Sequence, residues 1–595
     1  MHVARSLGSV LVVLAAGIQP AGQAGVHGRP DPQCTGSQFV SSRDDSHRAA
    51  EIMSGWLRLP GFARVRLRER PTWHENPFHD PNWAYQYQSL RWLDVLRRES
   101  VRTGSSRMRR RYLFLLRTWL SANPHSERAS EDPMAWSDMG VGLRAIELVC
   151  AAQVARGAKW LTYAMKEHAA ALSDPAEYRG VGNHSLHQDM GLLALGCHAR
   201  RRDWRDLAIL RLRALAARSI DSQGVDDEGS TKYEYLNFRW YLEATHRLKD
   251  CGQPAASELA PVRLMPEFLA QATTPDGRLV GLGDSQPLWR VFPLRGTEHE
   301  YAVTRGAQGP RPTRTLAIYR RGYLFSRSTW APRVTSASLL TLRFGQSRSE
   351  ASHGQDDATD VTFYALGREL LWGDGTYGGS PTDPYRKYVK SPAAQNVVDI
   401  PGAAYRRTVR TPLLGHGSTA VYDYATVRST VFSGYQDRRT VLHVKRGPFL
   451  VVDDKISQSV SRHVVQRWQL GEDRLTLVAR DRVTTLGAGT NAVLVWVGDH
   501  PTLSVVKGRT QPSLDGWRSD RSRRAVPSPT VEASVKAAVI RLTMVLVPIA
   551  GGDTGVQVRI SEIRTVGGTR TFVVAARGWR YSVRLGDVRA SARRL

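Results

Sequence analysis

The spacing of apolar residues changes once along the sequence and divides it into two regions of different fold class. From about residue 45 to 275, apolar residues recur every three or four positions, and Pro, Gly, Asn and Asp lie between these stretches. This spacing is typical of amphipathic helices. Beyond Thr315 the chain consists of short segments rich in Val, Thr, Leu, Tyr and Trp, which is typical of β-strands. The sequence therefore predicts a helical domain followed by a β domain.

The period also predicts where the individual elements lie. We predict helices over 85–98, 108–121, 142–155, 158–172, 192–217 and 235–249. We predict strands over 315–319, 322–328, 338–344, 361–365, 440–445, 449–452, 463–470, 492–497, 537–547 and 571–575. Strands that follow one another without intervening helices indicate an antiparallel sandwich. The Gly-, Pro- and Arg-rich stretch 281–314 is interpreted as the connection between the domains.

The first residues resemble a targeting signal. An apolar run from Leu7 to Ile18 is followed by small residues up to Ala24. This pattern predicts that residues 1–24 are a cleaved secretory signal. An uncleaved anchor and a misassigned start codon are the alternatives. No later apolar run is long enough to span a bilayer. We therefore expect a secreted, extracellular protein with a helical domain over 25–310 and a β-sandwich over 311–595.

The charge favours a negatively charged partner. Lys and Arg number 83 against 55 Asp and Glu, a formal net charge of +28, which attracts polyanions over long range. Nucleic acid and acidic polysaccharide both fit this charge, but the basic residues are dispersed and no nucleic-acid-binding module is present. Nucleic acid is therefore not expected, and the charge alone leaves the kind of polyanion open.

The four cysteines exclude several small-domain classes. Cys34, Cys150, Cys197 and Cys251 include no Cys-x-x-Cys pair, so a zinc ribbon and a thioredoxin-type site are not supported. Their spacing permits zero, one or two disulfides. Cys150 and Cys197 lie in helical apolar patterns, where a buried small hydrophobic residue is the expected role.

Three segments carry polar residues that the periodic patterns do not require. They contain Asn183 with His184, the acidic turn before Tyr233, and His353 between two predicted strands. Each has a simple structural interpretation. Asn183 is suited to capping a helix, Tyr233 to the core, and His353 to a solvated loop.

The order of these motifs resembles the heparinase II/III-like family of polysaccharide lyases. The resemblance begins at Asp80-Pro-Asn-Trp and runs to Gln466-Arg-Trp, so it covers much of the chain. The motifs that carry it are Asn183-His184, Glu228-x-Ser-x-x-Tyr233, His353-x-x-x-Asp357, Tyr385-Arg-x-Tyr388 and Asn396-Val-Val. The resemblance implies an (α/α) toroid, an incomplete α/α barrel, followed by an antiparallel β-sandwich.

The resemblance also implies a chemistry. Family members cleave uronate-containing polysaccharides, among them glycosaminoglycans, alginate and exopolysaccharides, by β-elimination. The carboxylate makes the C-5 hydrogen of the uronate a poor acid, so it has to be neutralised. Asn183 and His184 match the positions that do this. Tyr233 matches the catalytic Tyr that protonates the leaving oxygen or also takes the C-5 proton, and His353 matches a His that acts as base or binds substrate.

Further residues are expected to bind the substrate. Tyr385 and Tyr388 come from the same motif set, and Glu228 belongs to the Tyr233 motif. Arg179 and Arg239 lie near the motifs in the sequence and are candidates for the anionic groups of the sugar. A Tyr needs cationic neighbours to act as a base at neutral pH, and an Arg-rich chain is consistent with that need.

The chain departs from the family at the positions that hold a structural zinc in some relatives. Gln355 and Gln395 stand where relatives carry His, and Gly373 stands where they carry an Asp, with Asp374 displaced by one position. Gln is a poor zinc ligand, so we expect no metal and no cofactor. His187 stands where some relatives carry a Glu, which leaves the substrate subsite open.

Two other functions remain as alternatives. A basic carbohydrate-binding protein that lost turnover would be consistent with the two Gln replacements. A glycoside hydrolase would use Asp226, Asp227 or Glu228 with a second carboxylate across the scissile bond. These three acids are consecutive on one turn, which suits capping better than an acid/base pair.

Overall fold

The protein is described by a computed structural model that covers most of the chain. The described residues are 31–36, 39–125, 132–286, 289–332, 335, 337–346, 353–373, 375–378, 382–471, 474–520, 524–551, 556–576 and 578–595. The predicted signal peptide, residues 1–24, lies outside the described residues.

The first half of the chain is helical, as predicted. Its helices are α1 (Asp45–Met53), α2 (Pro81–Gln88), α3 (Asp94–Thr103), α4 (Ser106–Ala122), α5 (Asp138–Ala151), α6 (Lys159–Ser173), α7 (Gly182–His198), α8 (Arg202–Ser219), α9 (Thr231–Asp250), α10 (Met265–Gln271) and α11 (Glu298–Val303). A short hairpin of β1 (Trp56–Leu57) and β2 (Val65–Arg66) follows α1. The helices pack around one apolar core, with the most extensive contacts between α5 and α7 and between α7 and α8.

Two of the predicted helices are each divided into two. The predicted helix 85–98 is interrupted at Leu90, whose φ is 58°, and the predicted helix 192–217 is interrupted at Arg200, whose φ is 54°. A left-handed residue ends the right-handed helix. Gly196 lets the chain turn back closely, because a Cβ there would lie 2.6 Å from the backbone nitrogen of Arg205. The period alone did not reveal these breaks, because the apolar positions continue through both turns.

All four cysteines are paired in two disulfides. Cys34 bonds to Cys150 with a Cα–Cα distance of 5.0 Å, and Cys197 bonds to Cys251 with a Cα–Cα distance of 5.6 Å. The expectation that Cys150 and Cys197 are plain buried apolar residues was therefore wrong. Helical periodicity shows that a position is buried, but it does not show which residue lies opposite.

The second half of the chain consists mainly of antiparallel strands. They are β3 (Leu316–Tyr319), β4 (Tyr323–Arg327), β5 (Leu339–Arg343), β6 (Gly345–Gln346), β7 (Val361–Ala365), β8 (Arg368–Leu371), β9 (Val398–Asp399), β10 (Arg410–Thr411), β11 (Leu413–Ser418), β12 (Tyr422–Ser429), β13 (Tyr435–Val444), β14 (Phe449–Gln469), β15 (Leu475–Val478), β16 (Arg482–Leu486), β17 (Asn491–Trp496), β18 (Thr502–Val506), β19 (Trp517–Ser519), β20 (Ala525–Pro527), β21 (Thr530–Ile549), β22 (Arg559–Val566), β23 (Thr569–Ala576), β24 (Trp579–Leu585) and β25 (Ala590–Arg594). One helix, α12 (Pro384–Val389), lies between β8 and β9. The segments predicted separately over 449–452 and 463–470 are parts of the single strand β14.

Most of these strands form three stacked sheets, and β6 with β10 and β19 with β20 form two small two-stranded sheets. A five-stranded sheet of order β3-β4-β5-β7-β8 packs on a ten-stranded sheet built around β13, β14 and β21. The other face of the ten-stranded sheet packs on a four-stranded sheet of order β22-β23-β24-β25. The predicted antiparallel sandwich is confirmed, and it has a third layer that the sequence analysis did not anticipate.

The five-stranded sheet also joins the two halves of the chain. Its outer face, with Tyr319 and Phe325, packs on Phe268 of α10 and Tyr235 of α9 in one apolar cluster. The layers therefore run from the helical domain through the five- and ten-stranded sheets to the four-stranded sheet at the far end. Among the described residues, none of the helices has the length and apolar character needed to cross a membrane.

Candidate active site

A cleft of about 870 Å³ opens where the helical domain meets the sandwich. Its walls come from the starts of α2, α5, α7 and α9 and from the loop before β7. The lining residues are Pro81, Asn82, Tyr85, Met134, Trp136, Ser137, Asp138, Met139, Ala176, Glu177, Tyr178, Arg179, Asn183, His184, Tyr233, Leu236, Trp240 and His353. The four predicted catalytic residues, Asn183, His184, Tyr233 and His353, are all among them.

Asn183 lies in the first turn of α7 but does not cap it. The N-cap residue is Val181, and the side chain of Asn183 instead contacts Glu228 across 45 positions of sequence. The amide nitrogen Nδ2 of Asn183 lies 3.1 and 3.0 Å from the two carboxyl oxygens of Glu228, and its backbone N–H donates to Oε1 at 2.9 Å. Glu228 therefore holds this amide at the edge of the cleft.

The carboxyl group of Glu228 is buried among other acids. Burial and the neighbouring charge of Asp226 raise the pKa of Glu228 to about 8, although hydrogen bonds from Asn237 and Asn183 oppose the shift. Burial likewise raises the pKa of Asp226 to about 7. Burial therefore favours the protonated, uncharged form of the Glu228 carboxyl group beneath Asn183.

His184 takes its position from a different helix. Its Nδ1 lies 2.8 Å from Oδ1 of Asp138 at the start of α5, and the imidazole is about half exposed to the cleft. Burial raises the pKa of Asp138, but the hydrogen bond and the charge of His184 outweigh it and hold that pKa below its usual range. The carboxylate orients the ring so that its other nitrogen faces away from Asp138.

Tyr233 and His353 lie against each other although 120 positions separate them in the sequence. Their rings are stacked with centroids 3.4 Å apart and planes 6° from parallel. Tyr233 belongs to the first turn of α9, where the hydroxyl of Ser230 caps the helix. The Nζ of Lys232 lies 5.5 Å from the centroid of the Tyr233 ring and supplies a positive charge nearby.

A carboxylate and a lysine orient His353. Its Nδ1 lies 3.1 Å from Oδ2 of Asp284, which also accepts a hydrogen bond from Nζ of Lys390 at 2.9 Å. Burial raises the pKa of Asp284, but His353 and Lys390 together lower it below its usual range. Burial lowers the pKa of His353 more than Asp284 raises it. Burial therefore favours the neutral ring with its proton on Nδ1, facing the carboxylate. Nε2, the other ring nitrogen, lies 3.5 Å from Oε2 of Glu228.

Three distant segments meet at a glycine to build this arrangement. The backbone N–H of His353 donates to the carbonyl of Glu228 at 2.6 Å, and the N–H of Asp284 donates to the carbonyl of His353 at 2.7 Å. Gly283 has a φ of 62°, and a Cβ there would lie 2.3 Å from the carbonyl oxygen of Gly229. Only glycine permits this approach. These close backbone contacts fix the positions of Tyr233 and His353 relative to each other.

The predicted substrate-binding residues fall into two groups. Arg179 lines the cleft, and Glu228 lies beneath Asn183. Arg239 points elsewhere, with its guanidinium 6.0 Å from the ring centroid of Tyr235. Tyr385 packs edge-on against Trp517 at 5.0 Å, and Tyr388 is buried at 5% exposure. The structure does not bring Arg239, Tyr385 or Tyr388 to the cleft lining.

Several residues of the site were missed by the sequence analysis. Asp284 lies in the stretch interpreted as a connection, and Lys390 lies two residues after the Tyr385-Arg-x-Tyr388 motif, directly after the end of α12. Asp138 was missed because an acidic residue at a helix start resembles ordinary capping. The Gly-Asp-Ser sequence at 283–285 was a usable signal, since a glycine followed by polar residues marks a tight crossing.

The acidic turn does not form a pair of carboxylates facing a substrate. Asp226 accepts a hydrogen bond from Nδ2 of Asn237 at 2.7 Å, and Glu228 holds Asn183. Asp227 lines a separate cavity on the other side of the turn. None of the three is among the residues lining the cleft, which removes the geometric basis for the glycoside hydrolase alternative.

The residues at the family's zinc positions do not fit a metal. Nε2 of Gln395 donates to Oε1 of Gln355 at 3.0 Å and lies 3.0 Å from the carbonyl of Val389. Nε2 of Gln355 donates to the carbonyl of Gly375 at 2.7 Å. The amides therefore bond to each other and to the backbone. In the described part of the chain, a group of three metal-ligand side chains occurs only at Cys34, Asp94 and Cys150, where the two sulfurs form a disulfide.

The comparisons with known proteins agree with this architecture. The family model for the heparinase II/III N-terminus matches residues 58–299, which make up most of the helical domain. Among curated proteins, none matches the chain in sequence.

Solved structures match over nearly the whole chain. Heparan sulfate lyase HepC from Pedobacter heparinus is 18% identical, with 94% of this chain and 92% of that chain covered and a TM-score of 0.68. A structure of heparinase III is 16% identical, with coverage of 92% and 91% and a TM-score of 0.76. A chondroitin AC lyase from Streptomyces coelicolor A3 is 12% identical, with coverage of 96% and 91% and a TM-score of 0.51. The predicted fold, a toroid followed by an antiparallel sandwich, is confirmed.

Proposed function

We propose that this chain, a heparinase II/III-like polysaccharide lyase, cleaves an acidic, uronate-containing polysaccharide by β-elimination in the cleft between its two domains. The observation that supports this most directly is the stacked pair of Tyr233 and His353 in the same cleft as Asn183 and His184. The polymer is a glycosaminoglycan, alginate or an exopolysaccharide. The lyases of similar fold act on heparan sulfate and chondroitin.

Asn183 and His184 bind the uronate carboxylate in this proposal. The pKa of Glu228 is raised to about 8, which favours its protonated form. When the side-chain amide of Asn183 rotates by half a turn, this carboxyl group is able to donate a hydrogen bond to the amide oxygen. The Asn183 nitrogen then donates to the substrate carboxylate. Neutralising this carboxylate stabilises the charge that develops when the C-5 proton leaves. Arg179, at the rim of the cleft, binds a neighbouring anionic group.

Proton transfer is assigned to Tyr233 and His353. Nε2 of His353 takes the C-5 proton, the electron pair forms the C-4 to C-5 double bond, and the C-4 to oxygen bond breaks. The hydroxyl of Tyr233 donates its proton to the departing oxygen. Asp284 accepts from Nδ1 of His353, which keeps Nε2 basic and stabilises the imidazolium once it forms. In the alternative assignment Tyr233 is both the base and the acid. The pH dependence of the reaction rate distinguishes the two assignments.

The test is to incubate the purified protein with a panel of uronate polymers and follow the ultraviolet absorbance of the unsaturated product. A rise on one polymer that disappears in Tyr233→Phe is the expected result. Reducing ends without absorbance would indicate hydrolysis and contradict the proposal. Binding without any product would favour the non-catalytic carbohydrate-binding alternative.

Secretion is also part of the proposal. An enzyme that acts on extracellular polysaccharide has to reach it, and the predicted signal over residues 1–24 would provide the route. The two disulfides support this, because structural disulfides persist mainly in oxidising compartments. Comparing the N-terminal residue of the exported protein with Gly25 tests this assignment.

A further inference from the structure

The four-stranded sheet at the far end of the molecule has one apolar and one polar face. Its inner face packs on the ten-stranded sheet through residues such as Phe572, Val574, Tyr581 and Val583. Along β24 the buried residues alternate with Arg580, Ser582 and Arg584, as expected for a half-buried strand. The outer face of this sheet is therefore the surface most distant from the helical domain in the layer order.

Strand pairing brings five arginines together on this outer face. Residues paired across neighbouring strands point to the same side of a sheet. Arg564 and Arg584 pair with the same residue of β23, and so do Arg559 and Arg580. Arg593 of β25 pairs with the residue midway between Arg580 and Arg584. All five side chains are exposed.

Few acids balance these arginines. Residues 556–595 contain nine Arg and two acids, Glu562 and Asp587. Glu562 pairs with Arg580 at 2.6 Å, and Asp587 pairs with cations of β13 and β14. Within the described residues, Arg564, Arg584 and Arg593 form no ion pair with a carboxylate. The face therefore carries an excess of positive charge.

The spacing of the charges suits a linear polyanion. Neighbouring strands lie about 4.8 Å apart and each residue advances roughly 3.3 Å. Arg564 and Arg584 are consequently about 10 Å apart across the sheet, and Arg580 and Arg584 are about 13 Å apart along β24. The positions between them hold small or β-branched residues such as Thr571 and Ser582, which are shorter than the arginine side chains around them.

We infer that this outer face of β22–β25, the arginine face, is a second binding site for acidic polysaccharide, separate from the cleft. The identity of the polymer rests on the proposed function. Guanidinium groups form paired hydrogen bonds with carboxylate and sulfate oxygens. Single-stranded nucleic acid would need aromatic platforms for its bases, and the aromatic residues Phe572, Trp579 and Tyr581 all belong to the inner, apolar side.

The test measures binding in a Tyr233→Phe background, so that no polymer is cleaved. Dissociation constants for long heparin and alginate chains are compared with those of a variant carrying Arg564→Thr, Arg584→Thr and Arg593→Thr. The control variant removes the same charge from exposed arginines of the helical domain, Arg156→Ala, Arg202→Ala and Arg263→Ala. Thermal unfolding checks that both variants fold, and a triple Gln replacement of the same three arginines tests the face if the Thr variant fails to fold.

We expect the Thr variant to bind at least one long polymer roughly tenfold more weakly and with a smaller dependence on salt. The control variant should stay within about threefold of the parent. Equal losses in the Thr and control variants, or no loss in either, would overturn the inference. If the parent binds double-stranded DNA more tightly than either polysaccharide, and only the Thr variant loses that binding, nucleic acid is the ligand of this face and the inference is overturned. Absorbance on a tetrasaccharide with Tyr233 intact reports the proposed function independently.

Discussion

The cleft lies where the helical domain meets the sandwich, the arginine face lies at the far end of the layer order, and the two surfaces hold their charges differently. In the cleft, Asp284 and Lys390 are paired at 2.9 Å and His184 contacts Asp138 at 2.8 Å. On the arginine face, three guanidinium groups have no carboxylate partner within the described residues. Burial shifts the pKa values around the cleft and raises the pKa of Glu228 to about 8.

This difference follows from what each surface has to do. Proton transfer needs atoms placed to within a fraction of an ångström, which requires side chains locked by partners from several elements. Attraction of a polymer needs only a high density of like charge, and the strand register supplies it locally. Changes in the cleft should therefore alter the rate of the reaction, and changes on the arginine face should alter affinity for long chains.

The largest expected effect is that of Tyr233→Phe. Removing the hydroxyl should lower kcat by about 10²- to 10⁴-fold, the range for loss of a general acid. Initial rates of absorbance measure it, and binding of long polymer to the arginine face should not change. A variant with near-normal kcat would show that another group protonates the leaving oxygen.

A smaller loss is expected for Asp284→Asn. Its carboxylate orients His353 and raises the pKa of that ring, so kcat should fall by about 10- to 100-fold. The acid limb of the pH–rate profile should move to lower pH, because His353 loses the charge that favours its protonated form. Asp138→Asn serves as the comparison in the same cleft, and it should leave that limb in place. An unmoved limb in Asp284→Asn would exclude His353 as the base.

Glu228→Gln should change the pH dependence more than the activity at neutral pH. The pKa of Glu228 is near 8 in the folded state and near 4.3 when unfolded. The folded state binds more protons between these two pKa values, so the protonated carboxyl group of Glu228 contributes to the free energy of unfolding. That contribution is complete below the unfolded pKa and is lost as pH rises through about 8. The melting temperature should fall less between about pH 6 and pH 9 in the Gln variant than in the parent. An equal fall in both proteins would contradict a buried, protonated Glu228.

The smallest expected effect is kinetic and belongs to the arginine face. With Tyr233 intact, the variant Arg564→Thr, Arg584→Thr, Arg593→Thr should raise KM for long polymer by a few-fold and leave kcat unchanged. KM for a tetrasaccharide should not change, since it fills only the cleft. A raised KM for the tetrasaccharide would show that the two surfaces are not independent.

Much of the fold followed from local patterns, and the exceptions have physical causes. The two-domain division and most element positions came from periodicity, but the turns at Leu90 and Arg200 did not, because left-handed residues are selected by packing rather than by sequence type. Asn183 and Tyr233 were found through motif order. Asp284 was missed because its importance depends on a contact with His353, 69 positions away.

The sequence by itself determined the two fold classes, the order of the motifs and the replacement of the zinc-binding residues by Gln355 and Gln395, because each of these depends on residue type at short spacing. Only the tertiary structure decided that Lys390, the residue after α12, contacts the site rather than a tyrosine of α12, that the cysteines pair, and that five arginines share one face. Those facts depend on which distant segments meet, and that is set by the packing of whole elements rather than by any local pattern.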